Sequence, residues 1–206
     1  MKNQKDYIRD LAEIRSIMER SSKFLSLSGL AGVLAGIYGL AGAYIAYSFL
    51  DFNPDEIFYS FTEISSYALL KVILLAITIL SLALGTAIFL SYKRAHKSEE
   101  KLWNPTSRRL LINIMVPLIV GGVLILFMIS WGLIGLIAPF SLLFYGLALF
   151  SAGSYTYKEV QFLGIIQIIL GLISLHFVEY SLIFWALSFG VFHIIYGIHI
   201  KYKYER

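Results

Sequence analysis

Apolar residues in this chain come in long blocks, and the charged residues fall between them. The blocks cover about 24–50, 66–92, 110–130, 132–153, 160–177 and 181–200. Each is long enough to cross a bilayer as a helix, which takes roughly 20 mostly apolar residues. The third and fourth blocks are nearly fused. As one helix, Leu110 to Gly153 would reach roughly 66 Å at 1.5 Å per residue, about twice the hydrocarbon thickness, so the stretch must fold back. Ser130-Trp131-Gly132 is the expected turn, because Gly permits the reversal and Trp suits the membrane–water interface. The pattern predicts an all-α polytopic membrane protein: six transmembrane helices over residues 24–206, preceded by a cytoplasmic amphipathic helix over residues 1–23.

The N-terminal segment carries the other helical period. Tyr7, Leu11, Ile14 and Met18 recur at 4-3-4 spacing. Arg9–Glu13, Arg15–Glu19 and Glu19–Lys23 form i,i+4 opposite-charge pairs, each contributing a few tenths of a kcal/mol. Such a helix lies on the inner leaflet or docks a protein partner at residues 6–24; its apolar stripe serves either role. The first block is too long, and its start too charged, for a cleavable signal peptide, so it is read as a retained signal anchor.

Charge placement orients the spans. Lys2, Lys5, Arg9, Arg15, Arg20 and Lys23 precede span 1. Lys93, Arg94, Lys97, Lys101, Arg108 and Arg109 lie between spans 2 and 3, Lys158 between spans 4 and 5, and Lys201, Lys203 and Arg206 in the tail. With six spans all of these share one side. Asp51, Asp55, Glu56, Glu63 and Glu179 fall on the other, with Lys71 near them. The positive-inside rule then puts both termini in the cytoplasm of a multi-pass inner (plasma) membrane protein. Asn104-Pro105-Thr106 reads as a helix stop followed by a restart.

Composition removes several classes of function. Only 15% of residues are charged, against about 25% in soluble domains. The chain has no cysteine, so disulfides, thiolate chemistry and Cys-ligated metals are excluded. His-Glu-x-x-His, Gly-x-Ser-x-Gly and phosphate-loop patterns are absent. Glu99-Glu100 lacks the following Arg that paired-glutamate intramembrane proteases require; Asn104 stands there. The basic loop fits no nucleic-acid module, so no nucleic acid is expected. The histidines do not pair for haem or metal: His176 and His193 differ in depth, and His193 and His199 point about 120° apart on one helix. No cofactor, metal site or catalytic residue is assigned, and a non-enzymatic protein is expected.

What remains polar within the hydrocarbon is Asn113, Gln161, Gln167 and His193, with Lys71 able to snorkel near the outer surface. Asn113, Pro117 and Gly121 share a face of span 3, and Gln167, Gly171 and Ser174 a face of span 5. These residues are candidates for a ligand site or polar path, though such residues more often serve as hydrogen-bonded glue between helices. His193 stands out as the deep group that titrates near neutral pH. In span 1, Gly29, Gly32, Gly36, Gly39 and Ala43 keep one face smooth, which predicts close packing at the bundle centre or at a homo-oligomer interface.

Tyr38-Gly39-Leu40 in span 1 and Tyr145-Gly146-Leu147 in span 4 share a local pattern, as an inverted 3+3 repeat would produce. "GIIQIILGLISL" followed by "FGVFHIIYGIHI" carries paired glycines at i,i+7 on both helices. This hairpin resembles that of the HdeD-like acid-resistance membrane proteins, over about 40 residues. The resemblance implies a small, stress-related, six-span bacterial inner-membrane protein and no catalytic residues. Three functions stay open. One is binding or sensing of a small apolar or lipid-like ligand, with signalling through the cytoplasmic face. The second is a small transporter or channel, and the third a lipid-modifying enzyme. Membrane lipids are partners in each.

Overall fold

A computed structural model of the chain describes residues 24, 27–50, 66–97 and 103–205. The amphipathic segment expected before residue 24 and the acidic residues 51–63 lie outside the described range. Six helical segments are long and apolar enough to cross a membrane. They are α1 (Gly29–Leu50), α2 (Ser66–Lys97), α3 (Pro105–Ser130), α4 (Ile137–Ala152, entered through a 3₁₀ turn), α5 (Lys158–His176) and a composite sixth span. The sixth span runs from a 3₁₀ turn, Val178–Tyr180, into α6 (Ser181–Trp185), a π turn (Ala186–Phe192) and α7 (His193–Tyr204). No strand occurs among the described residues.

Local chemistry explains both ends of α3. The Asn104 side chain accepts from the Ser107 amide at 2.8 Å, while Ser107 Oγ accepts from the Asn104 amide at 2.9 Å. This is a reciprocal capping box, with Pro105 at the first helical position, where no N–H is needed. At the other end Gly132 takes φ +74, a conformation that β-carbon sterics make costly for other residues. The Leu133 amide then reaches Met128 O and the Gly132 amide reaches Ile129 O, the Schellman pattern that satisfies a helix's last carbonyls. The expected reversal therefore falls at Trp131-Gly132.

Packing follows the small residues. α1 lies against α2 and the sixth span; α4 lies against α3 and α5. A β-carbon on Gly36 would sit 2.6 Å from Gly190 O, and one on Gly39 would sit 2.8 Å from Phe189 O. Gly29 and Gly32 press on Gly197 of α7 in the same way, and Ala43 is buried farther along α1. The smooth face of span 1 is thus closed by the sixth span of the same chain. Gly146 and Gly164 bring α4 and α5 together, and Gly121 of α3 receives the ring of Phe144. In hydrocarbon, where apolar burial drives little association, such close backbone approach supplies the attraction. In its most apolar stretch α1 buries 39% of residues and α2 none, so α1 is central and α2 peripheral.

One end of the bundle gathers the start of α1, the end of α2, the α4–α5 junction and the C-terminal turn. Phe24 donates its amide to Tyr155 O, and Thr156 Oγ1 donates to Phe24 O. Phe24 also packs with Leu110 and Ala152. Gly29 donates its amide to Glu205 Oε1 at 2.6 Å.

Candidate functional site

Two features share the interface between α5 and the sixth span: a buried polar seam and a lateral groove. The seam arises from spacing. Gln167 and Ser174 are seven residues apart on α5, and Ser181 and Ser188 are seven apart on the sixth span, so each pair repeats on one helix face. The helices run antiparallel. Gln167 meets Ser188, and the same register brings Ser174 level with Ser181. All four are fully buried.

The hydrogen bonds centre on Ser188. Its hydroxyl donates to Gln167 Oε1, and its carbonyl accepts from Gln167 Nε2 at 3.1 Å and from His193 Nδ1 at 2.9 Å. The π turn Ala186–Phe192 contains this carbonyl. A π turn offsets the regular i→i+4 ladder, which makes a carbonyl within it accessible to side chains. Because a carbonyl only accepts, Nδ1 of His193 carries a proton, and when the ring is neutral Nε2 is an acceptor. Tyr145 OH of α4 lies 3.0 Å from Nε2 and is its donor. Phe189 closes the ring cluster: its centroid is 4.8 Å from Tyr145, 5.7 Å from His193 and 4.7 Å from Trp185. At the other end of the seam the hydroxyls of Ser174 and Ser181 are buried without a protein partner.

The groove opens beside α7. It encloses about 380 Å³ and is walled by Phe162, Leu163, Ile166, Phe192, Ile195 and Tyr196. Lys158, Glu159 and His199 stand at its mouth. Glu159 accepts from Lys203 Nζ at 2.6 Å and from Tyr204 OH at 3.1 Å, with His199 Nε2 at 3.8 Å. A cavity of this size is at the small end of ligand sites, and an apolar wall with a few charges at one end is their usual chemistry.

Of the polar residues singled out from the sequence, the fold brings His193 and Gln167 together and leaves the others apart. Asn113 Nδ2 donates to Arg109 O of its own helix at 2.9 Å. Gln161 packs on Gly153 at the α4–α5 junction. Lys71 is on the exposed side of α2. Sequence reasoning missed Tyr145, Ser188, Phe189 and the groove. The matching i,i+7 spacing of Gln167–Ser174 and Ser181–Ser188 was the available signal for the seam. Among the described residues, no group of three or more His, Asp or Glu side chains converges to hold a metal. Neither a family model, nor a curated protein, nor a solved structure matches the chain.

Proposed function

We propose that this is a non-enzymatic, multi-pass protein of a bacterial inner membrane that binds a single amphiphilic, lipid-like molecule in the groove between α5 and the sixth span. The observation that carries the reading is the groove's make-up: six apolar wall residues lead to Lys158, Glu159 and His199 at one end. An acyl chain fits the walls and a polar head group fits the mouth. Lys158, Lys201 and Lys203 lie at the end of the bundle that also holds Arg94 and the start of α1. The positive-inside rule makes that end cytoplasmic, so both termini are inside and the ligand comes from the inner leaflet. A non-enzymatic role is supported by the seam, whose His193, Gln167, Ser188 and Tyr145 satisfy one another rather than facing the groove.

Native mass spectrometry of the protein released from membranes tests this. The wild type is expected to retain one amphiphile. Ile166→Trp fills the groove and is expected to lower occupancy by about tenfold, the effect of losing roughly 1.4 kcal/mol. Equal occupancy in both proteins overturns the reading.

Transport is the second reading, favoured by one observation. α1 and α4 each take a neighbour from the other half of the chain, α1 the sixth span and α4 the third, which is the pairing an inverted 3+3 repeat would generate.

A further inference from the structure

The last turn of α7 is held from two sides. On one side is Glu159, at the groove mouth, which accepts from Lys203 Nζ and from the Tyr204 hydroxyl. On the other is Arg94, near the end of α2. Its Nη2 donates to Tyr204 O at 3.0 Å and to Tyr157 OH at 3.1 Å. Its Nη1 donates to Glu205 Oε1 and to Leu27 O, each at 2.6 Å. Glu205 Oε1 accepts in turn from the Gly29 amide at 2.6 Å. The Arg94 and Glu205 side chains are each 19% exposed, so the pair is shielded from most solvent screening.

Tyr204 belongs to both sets of contacts. Its hydroxyl is on Glu159, its carbonyl is on Arg94, and its ring lies 4.3 Å from that of Tyr157, which Arg94 also binds. A change at the groove mouth that moves Tyr204 therefore reaches Leu27 and Gly29, where α1 begins.

We propose that Lys203–Glu205 form a latch that reports groove occupancy to the start of α1. The proposal rests on the groove being a ligand site and adds how that site is read. An anionic head group at the mouth competes with Glu159 for Lys203 and for the Tyr204 hydroxyl. Tyr204 shifts, the Arg94 contacts to the C-terminal turn loosen, and the start of α1 is freed from Glu205. A zwitterionic head group, whose own cation stays near its phosphate, competes less.

The chain's lack of cysteine makes the test clean, because Ser28→Cys introduces a single thiol beside Leu27 and Gly29. The rate at which a maleimide labels this thiol, in the full-length protein in detergent, reads how tightly the start of α1 is held. Tyr204→Phe removes one hydroxyl and keeps the ring beside Tyr157 and the carbonyl. Tyr204→Phe and Glu159→Gln are each expected to raise the labelling rate about fivefold, and Arg94→Gln at least as much. Once Arg94 is Gln, Tyr204→Phe is expected to add nothing, as for two residues in one network. Palmitoyl lysophosphatidylglycerol is expected to raise the wild-type rate, and palmitoyl lysophosphatidylcholine to raise it less. Wild-type rates in Tyr204→Phe and Glu159→Gln, with Arg94→Gln fast, overturn the latch. So does bound lysophosphatidylglycerol, seen by native mass spectrometry, that leaves the rate unchanged. If the variants behave as expected but neither lipid binds, the groove reading fails and the coupling through Tyr204 stands.

Discussion

At the scale of single residues, the glycines divide into two kinds that composition does not separate. Gly36 has no room for a side chain: an added β-carbon would lie 2.6 Å from both Gly190 O and Ile194 Cγ1. Gly85, on α2, has nothing within 4 Å of that position. Gly36→Ala is therefore expected to destabilise the protein by about 1–3 kcal/mol through overpacking between α1 and the sixth span. Gly85→Ala is expected to be neutral or to stabilise it by up to about 1 kcal/mol, because Ala is the better helix former. Unfolding in detergent, followed by tryptophan fluorescence, measures both. Equal effects of the two substitutions would mean that α1 and the sixth span do not pack as described. Asn113 teaches a similar lesson. A polar residue in an apolar helix invites a functional reading, but its amide bonds back to the carbonyl four residues earlier, a local option always open to Asn.

Among the elements, α5 and the sixth span form the pair on which the site depends. The Gln167–Ser188 contact joins them within the membrane, and each residue supplies both a donor and an acceptor. Gln167→Leu is expected to cost about 1–3 kcal/mol, because Ser188 loses the partner for its hydroxyl and one of the donors to its carbonyl. Ser188→Ala added to Gln167→Leu is expected to cost less than the two separate losses combined, since the lost bond is counted once. A double-mutant cycle on detergent unfolding checks this, and simple additivity would count against the pairing. The elements were legible from the chain to different degrees. Span positions, the Gly132 reversal and the restart at Asn104-Pro105 are set by local residues, so local patterns reveal them. His193 and Gln167 were also visible, as polar residues in an apolar background. Tyr145 and Ser188 were not, because tyrosines and serines are common in such helices and only the antiparallel register selects these two. The π turn was hidden too: "ALSFGVF" contains nothing that distinguishes it from an α-helical stretch. The groove is lined from both α5 and the sixth span, a pairing that no single segment encodes.

For the whole molecule, the order of packing differs from the order of sequence. If each half folded on its own three spans, α1–α3 and the last three spans would form separate bundles joined at Trp131-Gly132. Instead α1 takes the sixth span as a neighbour and α3 takes α4. The contacts between halves include some of the closest backbone approaches among the described residues, Gly29 on Gly197 and Gly36 on Gly190. In lipid, where such contacts replace the hydrophobic drive, they hold the fold together. The peptide link at the reversal should then be dispensable once folding is complete. Trp131 is exposed, and Gly132 has open space around it, so a protease site inserted between them is accessible without disturbing a packed face. After cleavage in mild detergent, the two fragments are expected to stay together, with a tag on one retaining the other through affinity capture and gel filtration. Gly36→Leu in the cleaved protein is expected to weaken that retention, because it wedges α1 away from the sixth span. Fragments that separate at once in the otherwise unaltered protein would show that each half stands alone, and the shared interface between α1 and the sixth span would have to be abandoned.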